Sequence, residues 1–253
     1  MTDAQPPVEP SASPRTRSGW TRQAANVVRP VFVDRVERDH RQSDGEFRRR
    51  RIVVAITLVV GATLLGLSFS TEPGEQAFYP LTLGLAATWV IGSLVSGPLH
   101  LGHIEFRGVL RRPIIAPIAV GLLLAGLFVL GGLVFRMVPL LAGLTEDVIG
   151  YARYGILPVV VLITLLNGVA EELFFRGALF AGIGVRHPVT ISTVLYTLAT
   201  VGSGNPVLVF AAALLGTVVG LERRASGGVL GPILTHITWS VAMLFLLPVI
   251  FPG

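Results

Sequence analysis

Long apolar runs decide what this chain can fold into. Hydrophobic residues make up 52% of its 253 residues, and charged residues make up only 14%. A run of about 20 apolar residues crosses a bilayer as a helix, because lipid offers no hydrogen bonds to an exposed backbone. A soluble domain would carry about 25% charged residues. The composition therefore excludes a soluble globular protein and predicts an all-α, polytopic bundle of transmembrane helices.

Seven segments are candidate spans by apolar length. They are residues 52–69, 77–95, 114–134, 156–183, 188–201, 206–221 and 228–251. Glycine recurs inside several of them, for example at both ends of 61–66, and small residues let helices approach closely in a membrane. Residues 140–154, which contain Glu146 and Asp147, fit either an interfacial helix or a loop.

The segment before the first span has a different composition. Residues 1–51 are rich in Pro, Ser, Asp, Glu and Arg, and residues 48–51 are all arginine. This composition predicts a mostly disordered, arginine-rich cytoplasmic tail, followed by a transmembrane domain over residues 52–253. Residues 1–51 are too long and too poor in apolar residues for a cleaved signal peptide.

Arginine placement predicts the orientation of the chain. Because basic residues stay in the cytoplasm, the pattern indicates a multi-pass plasma-membrane protein with its amino terminus inside and its carboxyl terminus outside. The arginines of the loops predicted to be internal are Arg107, Arg111, Arg112, Arg186, Arg223 and Arg224. Arg136 and Arg153 are exceptions on the other side. The basic charge is interpreted as an orientation signal and a contact with anionic membrane lipids, and no nucleic-acid partner is expected.

Three charged residues stand inside the fourth span. Ionised groups at that depth are costly, and such groups usually serve a function. On a helix Glu172 and Arg176 lie four residues apart and pair on one face, whereas Glu171 points about 100° away. Asn167 stands one turn before Glu171. Two carboxylates with one cation predict a proton acceptor. The alternative is that the three residues form a charge-neutral cluster that only stabilises the contact between helices.

His236 is predicted to share this depth. A lone buried histidine is usually a packing residue, but a histidine and a carboxylate in a wet cavity can activate water for attack on a carbonyl. A zinc site with Glu171 and His236 as ligands is a second possibility. The HExxH signature of soluble zinc proteases is absent, and the chain contains no cysteine to act as nucleophile or ligand.

Two further polar groups have ordinary explanations. Residues 222–224, ERR, are predicted to form a solvated loop. Hydroxyl groups at intervals of four on the fifth span are expected to bond to backbone carbonyls or neighbouring helices. The residues of this stripe are Ser192, Tyr196 and Thr200.

The sequence EELFFRG at 171–177, followed by a histidine in a later span, resembles the CAAX-protease and bacteriocin-processing (Abi) family of intramembrane proteases. The first family motif, a double glutamate with an arginine four residues after the second, is present in full. The third motif is a histidine with Asn or Asp four residues later, and here His236 is followed by Ser240. The second motif is an aromatic residue with histidine four residues later, and here Tyr196 is followed by Thr200. The resemblance covers residues 156–247.

This resemblance implies an intramembrane endopeptidase that acts on a membrane-associated peptide or protein. Glu171 would activate the water, and Glu172 and Arg176 would support it. His236 with Ser240 would bind the oxyanion or a divalent metal such as zinc. Thr200 occupies the position of a family histidine that shares the work at the water or metal.

Two other functions remain open at this point. A catalytically inactive family member that acts as a membrane scaffold or binding protein is favoured by Thr200 and Ser240, which replace family residues. A proton-coupled transporter built on the buried glutamates is a weaker third hypothesis.

Overall fold

The structure, a computed structural model, describes residues 28–36, 42–106 and 108–252. Within these ranges a short helical turn at 28–32 precedes eight longer helices and one two-stranded hairpin. In chain order the labelled elements are α1 (Asp44–Phe69), α2 (Phe78–Ser96), β1 (Ile104–Phe106), β2 (Val109–Arg111), α3 (Ile115–Phe135), α4 (Pro139–Arg153), α5 (Leu157–Ile183), α6 (Pro188–Val201), α7 (Pro206–Ser226) and α8 (Leu230–Ile250).

The prediction of a polytopic helical membrane protein is confirmed. Six helices are long and apolar enough to cross a membrane, by length and composition, and α6 is a shorter apolar helix of 14 residues. These seven helices coincide with the seven predicted segments. The stretch at 140–154 forms α4, which buries Thr145, Ile149 and Gly150 along one face. The antiparallel β1–β2 hairpin was not predicted, because strands of three residues are too short to show an alternating pattern.

Local signals in the sequence set the helix ends. Ser43 and Glu46 form a capping box at the start of α1, and Asn205 accepts hydrogen bonds from the first turn of α7. Helices α4 to α7 each carry a proline in the first turn, where its missing N–H costs nothing. Gly184 and Gly227 have positive φ angles of 86° and 72°, which end α5 and α7.

The predicted tail, residues 1–51, lies largely outside the described residues. Helix α1 begins at Asp44, so the four arginines at 48–51 belong to its first turns. Residues 28–36 contact the end of α7, where the Val36 N–H donates to the Ala225 carbonyl at 3.2 Å and Arg224 donates to the Phe32 carbonyl at 3.2 Å. This contact was not predicted, since it depends on chain segments that are almost 200 residues apart.

Helix α5 lies at the centre of the bundle. It packs against α2 and α8 most extensively, and also contacts α1, α4, α6 and α7. Aromatic rings fill the contact with α2: the Trp89 ring stacks on Phe174 with centroids 4.4 Å apart, and Phe175 lies 5.1 Å from Trp89. The middle of α5, with its charged residues, is therefore enclosed by helices.

Glycines allow the closest helix crossings. A Cβ atom at Gly61 of α1 would lie 2.1 Å from the Trp89 ring, and one at Gly92 of α2 would lie 2.3 Å from Thr57. A Cβ atom at Gly121 of α3 would lie 2.7 Å from the carbonyl oxygen of Thr235 on α8. The close approach expected from the glycine-rich spans is therefore present at the α1–α2 and α3–α8 crossings.

We expect Gly61→Ala to destabilise the bundle by about 1–3 kcal/mol, because the new methyl group overlaps the Trp89 ring. The free energy of unfolding can be measured by SDS titration in mixed micelles. Gly84→Ala is the matched control, since no atom lies within 4 Å of a Cβ at that position. Equal stability of the two variants would contradict the packing described here.

Candidate active site

The predicted pair of Glu172 and Arg176 forms on α5. Arg176 NH1 donates to Glu172 Oε1 at 3.0 Å, and both side chains have 0% of their surface exposed. His236, from α8, places Nδ1 2.7 Å from the same oxygen. One carboxylate oxygen therefore links α5 to α8 and contacts both the guanidinium of Arg176 and the imidazole ring of His236.

The Arg176 guanidinium is held by an aromatic face as well as by its ion pair. Its Nε and NH2 atoms have no hydrogen-bond partner among the described residues. The guanidinium carbon lies 4.6 Å from the centre of the Tyr196 ring, on α6. A cation over an aromatic ring gains about 2 kcal/mol or more where water is excluded, so Tyr196 helps to retain the buried charge.

Glu171 points away from Glu172, as the helix period predicts. Its Oε2 accepts a hydrogen bond from the Tyr196 hydroxyl at 2.7 Å. Tyr196 therefore touches both Arg176 and Glu171, and connects the two sides of the cluster. The sequence identified Tyr196 only as an aromatic motif residue, and its role as a hydrogen-bond donor depends on where α6 packs.

Glu171 and His236 line the same two cavities. The first, of about 170 Å³, also contains Thr200 and Ser203 in its wall. The second, of about 280 Å³, extends past Asn167 and Ser240. Since one water molecule occupies ~30 Å³ of liquid, each cavity can hold several. Trp239 borders both cavities, together with Phe69 and Leu208.

The hydroxyl stripe of α6 bonds largely to its own backbone. Thr200 Oγ1 donates to the Tyr196 carbonyl at 2.9 Å, and Ser192 Oγ donates to the Val189 carbonyl at 3.2 Å. Because the hydroxyl hydrogen of Thr200 is donated to this carbonyl, the hydroxyl oxygen can act only as a hydrogen-bond acceptor in the first cavity. The backbone bonding expected of such a stripe is observed, and Tyr196 is its exception.

An acceptor and a donor in the second cavity have no partner among the described residues. They are Asn167 Oδ1 and Trp239 Nε1, and the Asn167 amide nitrogen donates to the Ile163 carbonyl at 3.1 Å. Buried polar atoms are normally hydrogen-bonded, so an unpaired acceptor and donor beside a cavity suit a bound peptide group or water.

The prediction of a solvated loop at 222–224 was wrong. Glu222 and Arg223 are 2% and 5% exposed and lie in the last turns of α7, which continues to Ser226. Arg223 Nε donates to the Arg176 carbonyl, within the π-helical segment Leu173–Leu179 of α5. A wider π turn disturbs the regular backbone ladder, and Arg223 satisfies one of its carbonyls. Charged residues at a helix end look solvated in sequence, and only packing reveals their burial.

Glu222 does not line the two cavities that contain His236. Its Oε1 is 2.9 Å from Thr235 Oγ1, and Thr235 donates to the Pro117 carbonyl on α3 at 3.0 Å. These contacts fix α8 beside α3 and α7, one residue before His236. Glu222 therefore belongs to the support of the site.

The donor set does not fit a catalytic zinc ion. In the part of the chain that the structure describes, no group of three His, Asp or Glu side chains is close enough to hold a metal. Catalytic zinc takes three protein ligands, whereas the cavities offer the Glu171 carboxylate and the remaining ring nitrogen of His236. Thr200 and Ser203, also in the wall of the first cavity, offer hydroxyl groups.

We expect Arg176→Gln to destabilise the protein by about 3–5 kcal/mol, because the change leaves the Glu172 carboxylate buried without its cation. The free energy of unfolding again provides the measurement. Arg111→Gln, on the exposed strand β2, is the control and should have little effect. A similar small loss in both variants would show that Arg176 is not needed to hold the carboxylate.

Comparison with known proteins gives one family. The family model described as type II CAAX prenyl endopeptidase Rce1-like matches residues 153–242, which include the glutamate pair and His236. No curated protein and no solved structure gave a match. The match confirms the resemblance seen in the sequence and supports a CAAX-type intramembrane protease at the level of the family. The helices that carry the buried charged cluster thus match the model of the CAAX-protease family.

Proposed function

We propose that the protein is an intramembrane endopeptidase that hydrolyses a peptide bond of a membrane-associated substrate with a water activated by Glu171. The observation that carries this proposal is that Glu171 and His236, from two different helices, line the same two cavities. The match of residues 153–242 to the CAAX-protease family model supports the reaction class.

Glu171 acts as the general base. The Tyr196 hydroxyl holds Oε2 of Glu171 at 2.7 Å, which orients the carboxylate and leaves Oε1 for a water in the cavity. The water attacks the carbonyl carbon of the substrate as its proton passes to Glu171. This proton then goes to the amide nitrogen, the C–N bond breaks, and an amine and a carboxylic acid leave.

His236 stabilises the oxyanion. We propose that it does so as an imidazolium, beside two carboxylates and one guanidinium in the low-dielectric interior. Nδ1 is held by Glu172, so Nε2–H is left to donate toward the cavity. A positioned donor of this kind lowers the energy of the tetrahedral intermediate. Glu172 and Arg176 act through His236 and are positioning residues.

The substrate peptide binds beside these two groups. The unpartnered Asn167 Oδ1 accepts a hydrogen bond from a backbone N–H, and Trp239 Nε1 donates to a backbone carbonyl. Both residues border the second cavity with Glu171 and His236. Backbone contacts of this type orient an extended peptide without selecting its side chains.

A non-catalytic scaffold or binding protein is the second candidate function. The observation that favours it concerns Thr200, which stands at the position of a family histidine. Its hydroxyl donates to the Tyr196 carbonyl, and a threonine, unlike a histidine, adds no titratable side chain beside Glu171 and His236. In that case the charged cluster stabilises the bundle and the cavities bind a partner segment without cleaving it.

We expect Glu171→Gln to reduce peptide cleavage about 10²–10⁴-fold, because the amide cannot accept the proton of the attacking water. Cleavage is measured with a peptide library and purified protein in detergent. Glu105→Gln, at the exposed middle position of strand β1, is the matched control and should keep full activity. The thermal unfolding temperature of each variant separates a lost base from a lost fold.

The same assay distinguishes the two candidate functions. His236→Gln should lower the rate constant of cleavage more than it changes the Michaelis constant, because the imidazolium acts mainly on the transition state. Cleavage that continues unchanged in Glu171→Gln and His236→Gln would reject the proposed site. A folded wild-type protein that cleaves no member of the library would favour the scaffold.

We expect cleavage to survive dialysis against EDTA and treatment with 1,10-phenanthroline, since the cavities offer two candidate ligands where catalytic zinc takes three. Activity is compared before and after chelation, with a soluble zinc protease as the positive control. Loss of activity on chelation, with recovery on adding back zinc, would overturn the metal-independent mechanism.

A further inference from the structure

The cavities that contain Glu171 and His236 continue toward one face of the bundle. A third cavity, of about 280 Å³, shares Ser203 with the first cavity and Tyr151 with the second, and all three share Phe69. Its wall is formed by the loop at 71–73, the middle of α4 and the loop at 203–205. A continuous series of cavities therefore leads from the charged cluster to the face where α1 ends and α2 begins.

The opposite face is separated from the charged cluster. Two cavities lie near the start of α1, one of about 630 Å³ beside Arg51 and one of about 190 Å³ beside Ala181. Among the described residues, the walls of these two cavities share no residue with the three that lead to the other face. Glu172, Phe174 and Arg176, each 0% exposed, lie on α5 between the two sets.

Arginine placement assigns the closed face to the cytoplasm. Residues 48–51 lie in the first turns of α1 at that face, and Arg111 and Arg112 lie in and just after strand β2, between α2 and α3, on the same side. The two arginines on the other face have a structural use. Arg136 donates to the Ile250 carbonyl at 3.2 Å and Arg153 to the Phe251 carbonyl at 2.7 Å, where a cation stabilises the carboxyl end of α8.

We infer that the site is reached from the extracytoplasmic face, through the mouth formed by the 71–73 loop, α4 and the 203–205 loop. The inference about the route rests on the cavities, and the side of the membrane rests on the placement of the arginines. Combined with the proposed function, it defines the substrate class as an exported, membrane-associated polypeptide whose cleaved segment lies outside the cytoplasm. A cytoplasmic peptide would have to pass the buried layer around Glu172 and Arg176.

The route can be tested without any substrate, because the chain contains no cysteine. Thr200→Cys places a thiol in the wall of the first cavity, and Ala181→Cys places one in a cavity of the closed face. A membrane-impermeant methanethiosulfonate is applied to spheroplasts and to inverted vesicles, and the modified fraction is measured by mass shift. Thr71→Cys, at the mouth, reports the orientation of the protein in each preparation.

We expect Thr71→Cys and Thr200→Cys to react in spheroplasts and to lose that labelling in inverted vesicles. Ala181→Cys should show the reverse. Labelling of Thr200→Cys from the side that labels Ala181→Cys would overturn the inference. So would a Thr200→Cys that reacts from neither side while Thr71→Cys reacts, since the cavities would then not be connected to solvent.

A second measurement connects the route to cleavage. A bulky maleimide attached to Thr71→Cys after folding should abolish cleavage of an active preparation, whereas the same group on Ala181→Cys should leave it unchanged. Full cleavage with the mouth modified would overturn the extracytoplasmic route. Absence of cleavage in every unlabelled variant, together with the expected labelling pattern, would reject the proposed function and keep the route.

Discussion

One carboxylate oxygen inside the membrane holds the structure of the site together. Glu172 Oε1 binds Arg176 of its own helix and His236 of α8. An unpaired carboxylate at that depth would be unstable, so Arg176 and His236 both stabilise the bundle by contacting it. The contact between α5 and α8 is therefore an electrostatic requirement as well as a matter of packing.

Other features of the bundle follow from enclosing this charge. Aromatic rings of Trp89 and Phe174 exclude water on the side of α2, and Tyr196 covers the guanidinium while it donates to Glu171. Arg223 satisfies a carbonyl of the π-helical segment that follows the glutamate pair. The adjacent glutamates thereby acquire different surroundings: Glu172 is sealed and paired, while Glu171 faces a cavity. Neighbouring carboxylates with different environments are suited to different roles.

The sequence predicted contacts between residues that are close along the chain better than contacts between distant segments. The pairing of Glu172 with Arg176 follows from a spacing of four residues on one helix, and the opposite direction of Glu171 follows from the same period. His236 was predicted from its depth in a span and from the family motif. Glu222 and Arg223 were misread as solvated, because a charged group at the end of an apolar run gives no local sign of burial.

The sequence by itself determined that the chain is a helical membrane protein, where seven of its helices lie, and which helix carries the costly charges. Long apolar runs and helix-capping residues act locally, so they can be read without knowing the fold. Only the tertiary structure decided that Tyr196 binds Glu171, that Thr200 turns to its own backbone, and that Glu171 and His236 line the same cavities. These outcomes depend on the rotation and tilt of packed helices, which a single apolar pattern leaves undetermined because lipid and protein interior are both apolar.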